Sequence, residues 1–152
     1  MFAPFADRGL AMPSSDFFRG ILGFYKIKHY HLPRNSVLKI SIFVHLCEEF
    51  LEICPHFNLF RHLFHTKPQP DEHNPTLVGG DGVQLCKRVL YLEYTTPSSL
   101  SGLHGQWFYT RNHKPSLPGW DNSQPQRREW WLQKLTHEES RDIPQLMKRI
   151  RP

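Results

Sequence analysis

Between Pro33 and Pro68 the chain alternates apolar and polar residues with a helical period, and the prolines there set hard limits on each element. Val37, Ile40, Val44, Cys47 and Leu51 recur at steps of three or four, and Phe43, Leu46, Phe50 and Ile53 form a second row beside them. The spacing predicts a helix over 36–53, contacted on two sides, with Glu48, Glu49 and Glu52 on its wet side. Asn35 or Ser36 can cap its start, and Pro55, which has no N–H to donate, ends it.

The flanking segments read in the same way. Ser14, Ser15 or Asp16 can cap a first helix running to about Ile27, with Phe17, Ile21, Leu22 and Tyr25 as its inner face. After Pro55, His56 to His65 predicts a short amphipathic helix presenting Phe57, Phe60, Leu63 and Phe64 to the other two. From Lys67 to Gly82 the composition turns to Pro, Asp, His, Asn and Gly and ends in GGDG, which predicts a loop and a tight turn. VQLCKR, VLYLEYTT and QWFYTRN then read as short strands, HKPSLPGWDNSQPQ as a linker, and REWWLQKL and HEESRDIPQLMKRI as helical pieces with a kink or restart at Pro144.

The expected fold is therefore α+β, mainly α: an N-terminal three-helix cluster packed on a small antiparallel sheet, followed by a proline-rich linker and C-terminal helices. The division is a tail over 1–12, a domain over 13–111 (helical over 13–66, sheet over 76–111), a linker over 112–125 and a helical segment over 126–152. Thirteen prolines and nine glycines in 152 residues keep every element short, while 39% hydrophobic and 13% aromatic residues argue against a disordered chain.

Charge and cysteines narrow the partners. Residues 1–80 carry eight Lys or Arg against seven acids, and residues 81–152 carry eleven against seven, so the net +5 is C-terminal and dilute. Dilute positive charge permits approach to phosphates without specifying it. Three cysteines, an odd number, suit free structural thiols in a reducing compartment. No apolar run reaches eighteen residues and the start lacks a signal-peptide pattern, so an intracellular protein of nucleus or cytoplasm is expected, neither secreted nor membrane-bound.

The search for chemistry excludes more than it finds. Cys47 and Cys54 are seven residues apart along a helix, so with His62 and His65 they lack finger spacing, and no metal ligand is assigned. GGDG lacks the Lys and Ser or Thr of a phosphate loop, and no nucleophile elbow is present. Glu48–Glu49 and Glu138–Glu139 are adjacent, so on a helix they diverge instead of converging on a substrate. No catalytic residue and no cofactor is assigned, and a non-enzymatic protein is expected. One constellation could bind: Arg111, Arg127 and Arg128 with Trp130 and Trp131 could stack on and neutralise single-stranded nucleic acid, although packing is the commoner use of tryptophan.

The succession DFFRGILGFYKIKHYHLPRNSVLKISIFVHLCEEFLEICPHFNLFRHLF, VGGDGVQL, YLEY and QWFYTRN resembles the plant family described as the putative gypsy-type transposon domain, over roughly Phe17 to Trp131. The resemblance implies a transposable-element origin and no catalytic residues. It also implies further helical sequence after Ile150, as in a truncated copy, and glycine where this chain has Glu52, an exchange that by propensity would lengthen the central helix. The element's enzymes leave no trace: there is no DTG or DSG, no YxDD and no CCHC knuckle. The expected role is a structural or protein-interaction domain, with protein partners or self-association, and a weak nucleic-acid-binding module as the alternative.

Overall fold

The computed structural model describes residues 14–70, 78–87, 91 and 129–150. Among these, four helices pack around a two-stranded antiparallel sheet, as the α+β, mainly α expectation required. Helix α1 (Asp16–Tyr25) starts at Ser15, whose hydroxyl accepts from the Phe18 amide at 3.2 Å. It ends at Lys26, a non-glycine residue held in the left-handed region at φ 54°. Phe18, Ile21, Leu22 and Tyr25 are buried, while Phe17 packs from the side, its ring stacked on Phe43 at 5.5 Å.

Helix α2 (Arg34–His45) begins after Pro33, with no side-chain cap. The Ser36 hydroxyl, expected to cap it, is buried and instead accepts from the Val83 amide at 2.8 Å, 47 residues away. The helix widens over Leu46–Phe50 into a π turn, in which the Leu51 amide donates to the Leu46 carbonyl at 3.0 Å. This turn corrects the expected single helix over 36–53. A π turn inserts extra arc into the helix, so positions beyond it rotate out of register. Phe50, expected in the buried row, is 69% exposed, and Glu52 takes φ 51° instead of prolonging the helix.

Helix α3 (Phe57–Leu63) is capped by its neighbour His56, whose Nδ1 accepts from the Leu59 amide at 3.1 Å. It passes directly into strand β1 (Phe64–Pro70), which pairs antiparallel with β2 (Val78–Leu85). Here the expected helix end at His65 and the expected loop over 67–82 are both corrected: GGDG lies within β2, with a register irregularity between Gln69 and Pro70. The prolines had argued against a strand. Thr66 and Val83 face each other in the register, and Val83 sends its N–H to Ser36 and its carbonyl to the Lys39 ammonium at 2.7 Å. That makes 66/83 a pair without mutual hydrogen bonds, and in an antiparallel ladder 68/81 is then another, so Pro68 removes no ladder bond. Of VQLCKR, Val83–Leu85 are in a strand, Cys86 and Lys87 are not, and Arg88 lies outside the described residues. The expected strands at VLYLEYTT and QWFYTRN, the tail over 1–12 and the linker over 112–125 lie outside the described residues, apart from Tyr91.

The core is aromatic at its centre. Phe43 and Phe60 meet edge to face at 5.3 Å, Phe60 and Phe64 lie at 5.1 Å, and Tyr91 stands edge-on to Phe64 at 5.2 Å. Rings at these separations add attraction beyond the area they bury. The C-terminal segment folds back onto this body through a short 3₁₀ turn (Glu129–Leu132) and helix α4 (Ile143–Ile150), which restarts at Pro144 as expected and buries Ile143 and Met147. An Arg149 guanidinium N–H donates to the Leu51 carbonyl at the end of the π turn.

Candidate functional site

One concave surface among the described residues lies where the C-terminal segment meets the end of α1. It is an open cleft of about 470 Å³ lined by residues that include Phe24, Lys26, Arg61, Trp130, Thr136 and Glu139. Two of its residues form an ion pair: Arg61, on α3, lays its guanidinium over the Phe24 ring at 4.9 Å and meets the Glu139 carboxylate at 2.5 Å. Thr136 and Glu139 cap each other, the Glu139 carboxylate accepting from the Thr136 amide at 2.8 Å and the Thr136 hydroxyl from the Glu139 amide at 3.2 Å. The Thr136 amide and the Arg61 guanidinium hold the Glu139 carboxyl below the usual carboxylate range. Two of the three charges in the cleft, Arg61 and Glu139, are thus committed to each other, Lys26 being the third, and among the described residues no His or Cys lines it.

Trp130 and Trp131, singled out for base stacking, sit at the C-terminal end of α1. The Trp131 indole N–H donates to the Tyr25 carbonyl at 2.9 Å, and the Trp130 N–H to the Phe24 carbonyl at 3.3 Å. These are carbonyls that a helix end leaves without intrahelical partners. Trp131 is 3% exposed and meets the Tyr25 ring edge-on at 6.4 Å, so neither of its faces is open to a base; Trp130, at 38%, keeps part of its ring in the cleft. Arg111, Arg127 and Arg128 lie outside the described residues.

The sequence reading missed a thiol and an imidazole that the sheet brings together. Cys86 Sγ lies 3.7 Å from His65 Nδ1, joined because the Cys86 amide extends the ladder to the Leu63 carbonyl at 2.7 Å. Burial pushes the Cys86 thiol up and the His65 imidazole down, and Lys67 and Lys39 lower His65 further. Both shifts favour the neutral pair, the opposite of the thiolate that nucleophilic chemistry requires. Of the other cysteines, Cys47 is buried, whereas Cys54, read as structural, is exposed; all three are free. Among the described residues no three His, Cys, Asp or Glu side chains gather as metal ligands, and no helix is long and apolar enough to cross a membrane.

Residues 1–68 match the family described as putative gypsy type transposon. The match supports the resemblance over the helical part of the fold and ends before VGGDGVQL, YLEY and QWFYTRN. Neither the curated proteins nor the solved structures contain a match to the chain.

Proposed function

We propose that the chain is a non-enzymatic structural or protein-interaction domain of a transposable-element-derived protein, of plant retrotransposon origin and acting in the nucleus or cytoplasm. One observation carries this reading: the groups that could do chemistry are consumed in holding the chain together. Arg61 and Glu139 tie α3 to the C-terminal segment, and the indoles of Trp130 and Trp131 tie the same segment to α1. The most exposed large apolar side chain among the described residues, and the one this reading offers to a protein partner, is Phe50 on the π turn, with the His45 ring edge-on to it at 5.7 Å. An exposed aromatic ring offers a partner a large apolar contact area.

Sedimentation velocity across a hundred-fold concentration range, on the whole chain and on Phe50→Asp, tests this reading. Concentration-dependent association that Phe50→Asp abolishes, with unchanged thermal stability, supports the interaction role. Turnover of any substrate that depends on Glu139 or Cys86 would sink the non-enzymatic reading.

A further inference from the structure

We propose that the outer face of the β1–β2 ribbon is a docking surface for the phosphate backbone of nucleic acid, centred on Lys39, His65 and Lys67. The alternation of the strands separates two faces. Phe64, Thr66 and Val83 are turned inward and buried, while His65, Lys67, Gly82 and Gln84 occupy the opposite face. Residues two apart on one strand face stand about 7 Å from each other, so His65 and Lys67 form a short row. Lys39 reaches the same place from α2, its ammonium anchored on the Val83 carbonyl at 2.7 Å.

What points to an anion is the missing countercharge. Lys39 is half-buried, and burial lowers its proton affinity, yet its one partner is a neutral carbonyl. Among the described residues neither it, His65 nor Lys67 has a carboxylate at ion-pairing distance. The acids nearest in sequence on α2 begin at Glu48, nine residues on, roughly 14 Å along a helix and beyond the ~8 Å reach of charge in physiological salt. Positive groups crowded without an acid are costly in the free protein, and a phosphate removes that cost. When the Cys86 thiol donates to Nδ1, neutral His65 carries its proton on Nε2 and offers it as a donor. Gly82, opposite Lys67, leaves this face low enough for an extended backbone to approach.

A polymer fits better than a lone phosphate because two lysines, Lys39 and Lys67, stand near His65 on an exposed ribbon, with Lys67 and Gln84 exposed. The contacts reach phosphates only, so the binding is independent of sequence. This surface is distinct from the Trp130–Trp131 region.

Gly82 supplies a clean test. A Cβ there would meet only the Lys67 carbonyl, at 3.7 Å, an ordinary contact, so a side chain fits without moving the backbone. The whole chain, Lys67→Gln, Gly82→Glu and Gly82→Lys are titrated with a labelled mixed-sequence DNA duplex between about 50 and 200 mM salt. Two lysine contacts predict a slope of log K against log salt near −1.8, falling to about −0.9 in Lys67→Gln. Gly82→Glu should lose at least about tenfold at the lower salt and Gly82→Lys should gain. Circular dichroism shows that each variant is folded, and Lys67→Gln, on an exposed side chain, decides the matter if Gly82→Glu does not fold. Absence of wild-type binding at the lower salt, or binding indifferent to Lys67→Gln, overturns the proposal.

Discussion

Replacing Glu52 by glycine should stabilise this protein, although a helix-propensity argument predicts the reverse. Glu52 is exposed and sits at φ 51° just after the π turn. An L-residue pays about 1–2 kcal/mol to adopt the left-handed region, where Cβ crowds the following carbonyl. Glycine avoids that cost but gives up about 0.4–1 kcal/mol through the greater freedom of its unfolded chain. Glu52 makes no hydrogen bond or ion pair among the described residues, so the net gain is about 0.5–1 kcal/mol, a rise of roughly 1–4 °C in Tm for a chain of this size. Were residue 52 helical, glycine would instead cost nearly 1 kcal/mol relative to a good helix former. Urea denaturation followed by circular dichroism distinguishes the two signs. Lys26→Gly, at φ 54°, should gain similarly, and Glu49→Gly, inside the π turn, should lose. A lower midpoint for Glu52→Gly at unchanged m-value would refute the left-handed assignment and restore a helix through residue 53.

Three further outcomes follow from contacts across the chain. Trp131→Ala should cost about 3–5 kcal/mol, because it empties a buried site and orphans the Tyr25 carbonyl, whereas Trp130→Ala should cost about 1 kcal/mol; equal costs in chemical denaturation would mean that residues 129–132 do not close over α1. Ser36→Ala should cost about 1–3 kcal/mol by leaving the Val83 amide without its acceptor, and hydrogen exchange at Val83 should speed up more than at Val37. The depressed Glu139 carboxyl stabilises the fold above its ordinary value of 4.5 and loses that effect as pH falls through its folded value; the difference in Tm between the wild type and Glu139→Gln should therefore be largest near neutrality and shrink in acid, and a constant difference would disprove the linkage.

The helices were legible because their signals are local. A period of three to four residues, the cap at Ser15 and the stop at Pro55 all operate within one or two turns, and α1, α2 and α3 start within about two residues of where they were expected. The π turn was not legible, since its i+5 bond depends on seating Leu51, which is buried, and on the Ile53 amide reaching the Cys47 carbonyl at 2.9 Å. Periodicity counts residues as if every turn were alike, so it placed Phe50 inside. Nor could Ser36 announce its partner. A serine one turn into a helix looks like a cap unless Val83, brought up by the sheet, is known to stand beside it.

The packing roles of Trp130 and Trp131 were not legible for a related reason. Trp130 and Trp131 were grouped with Arg111, Arg127 and Arg128 by composition, yet an indole N–H is a donor, and the nearest unsatisfied acceptors are the terminal carbonyls of α1, 106 residues earlier. Conversely, His65 and Lys67 were divided between a helix end and a loop, two contexts in which they have no common face. Once β1 is a strand, alternation alone puts them side by side, and the antiparallel register sets Gly82 and Gln84 opposite them. Pro68 and Pro70 hid that strand, and the ladder tolerates Pro68 because its missing N–H falls where no cross-strand bond is formed. The same parity turns the backbone N–H and carbonyl of Val83 away from β1 to meet Ser36 and Lys39, which fastens β2 to α2 and draws the Lys39 ammonium to the His65 side. The pairing that covers the open edge of β2 is thus also what gathers positive charge on the ribbon, so Lys39→Met should loosen β2 and weaken DNA binding together, whereas Lys67→Gln should weaken binding alone.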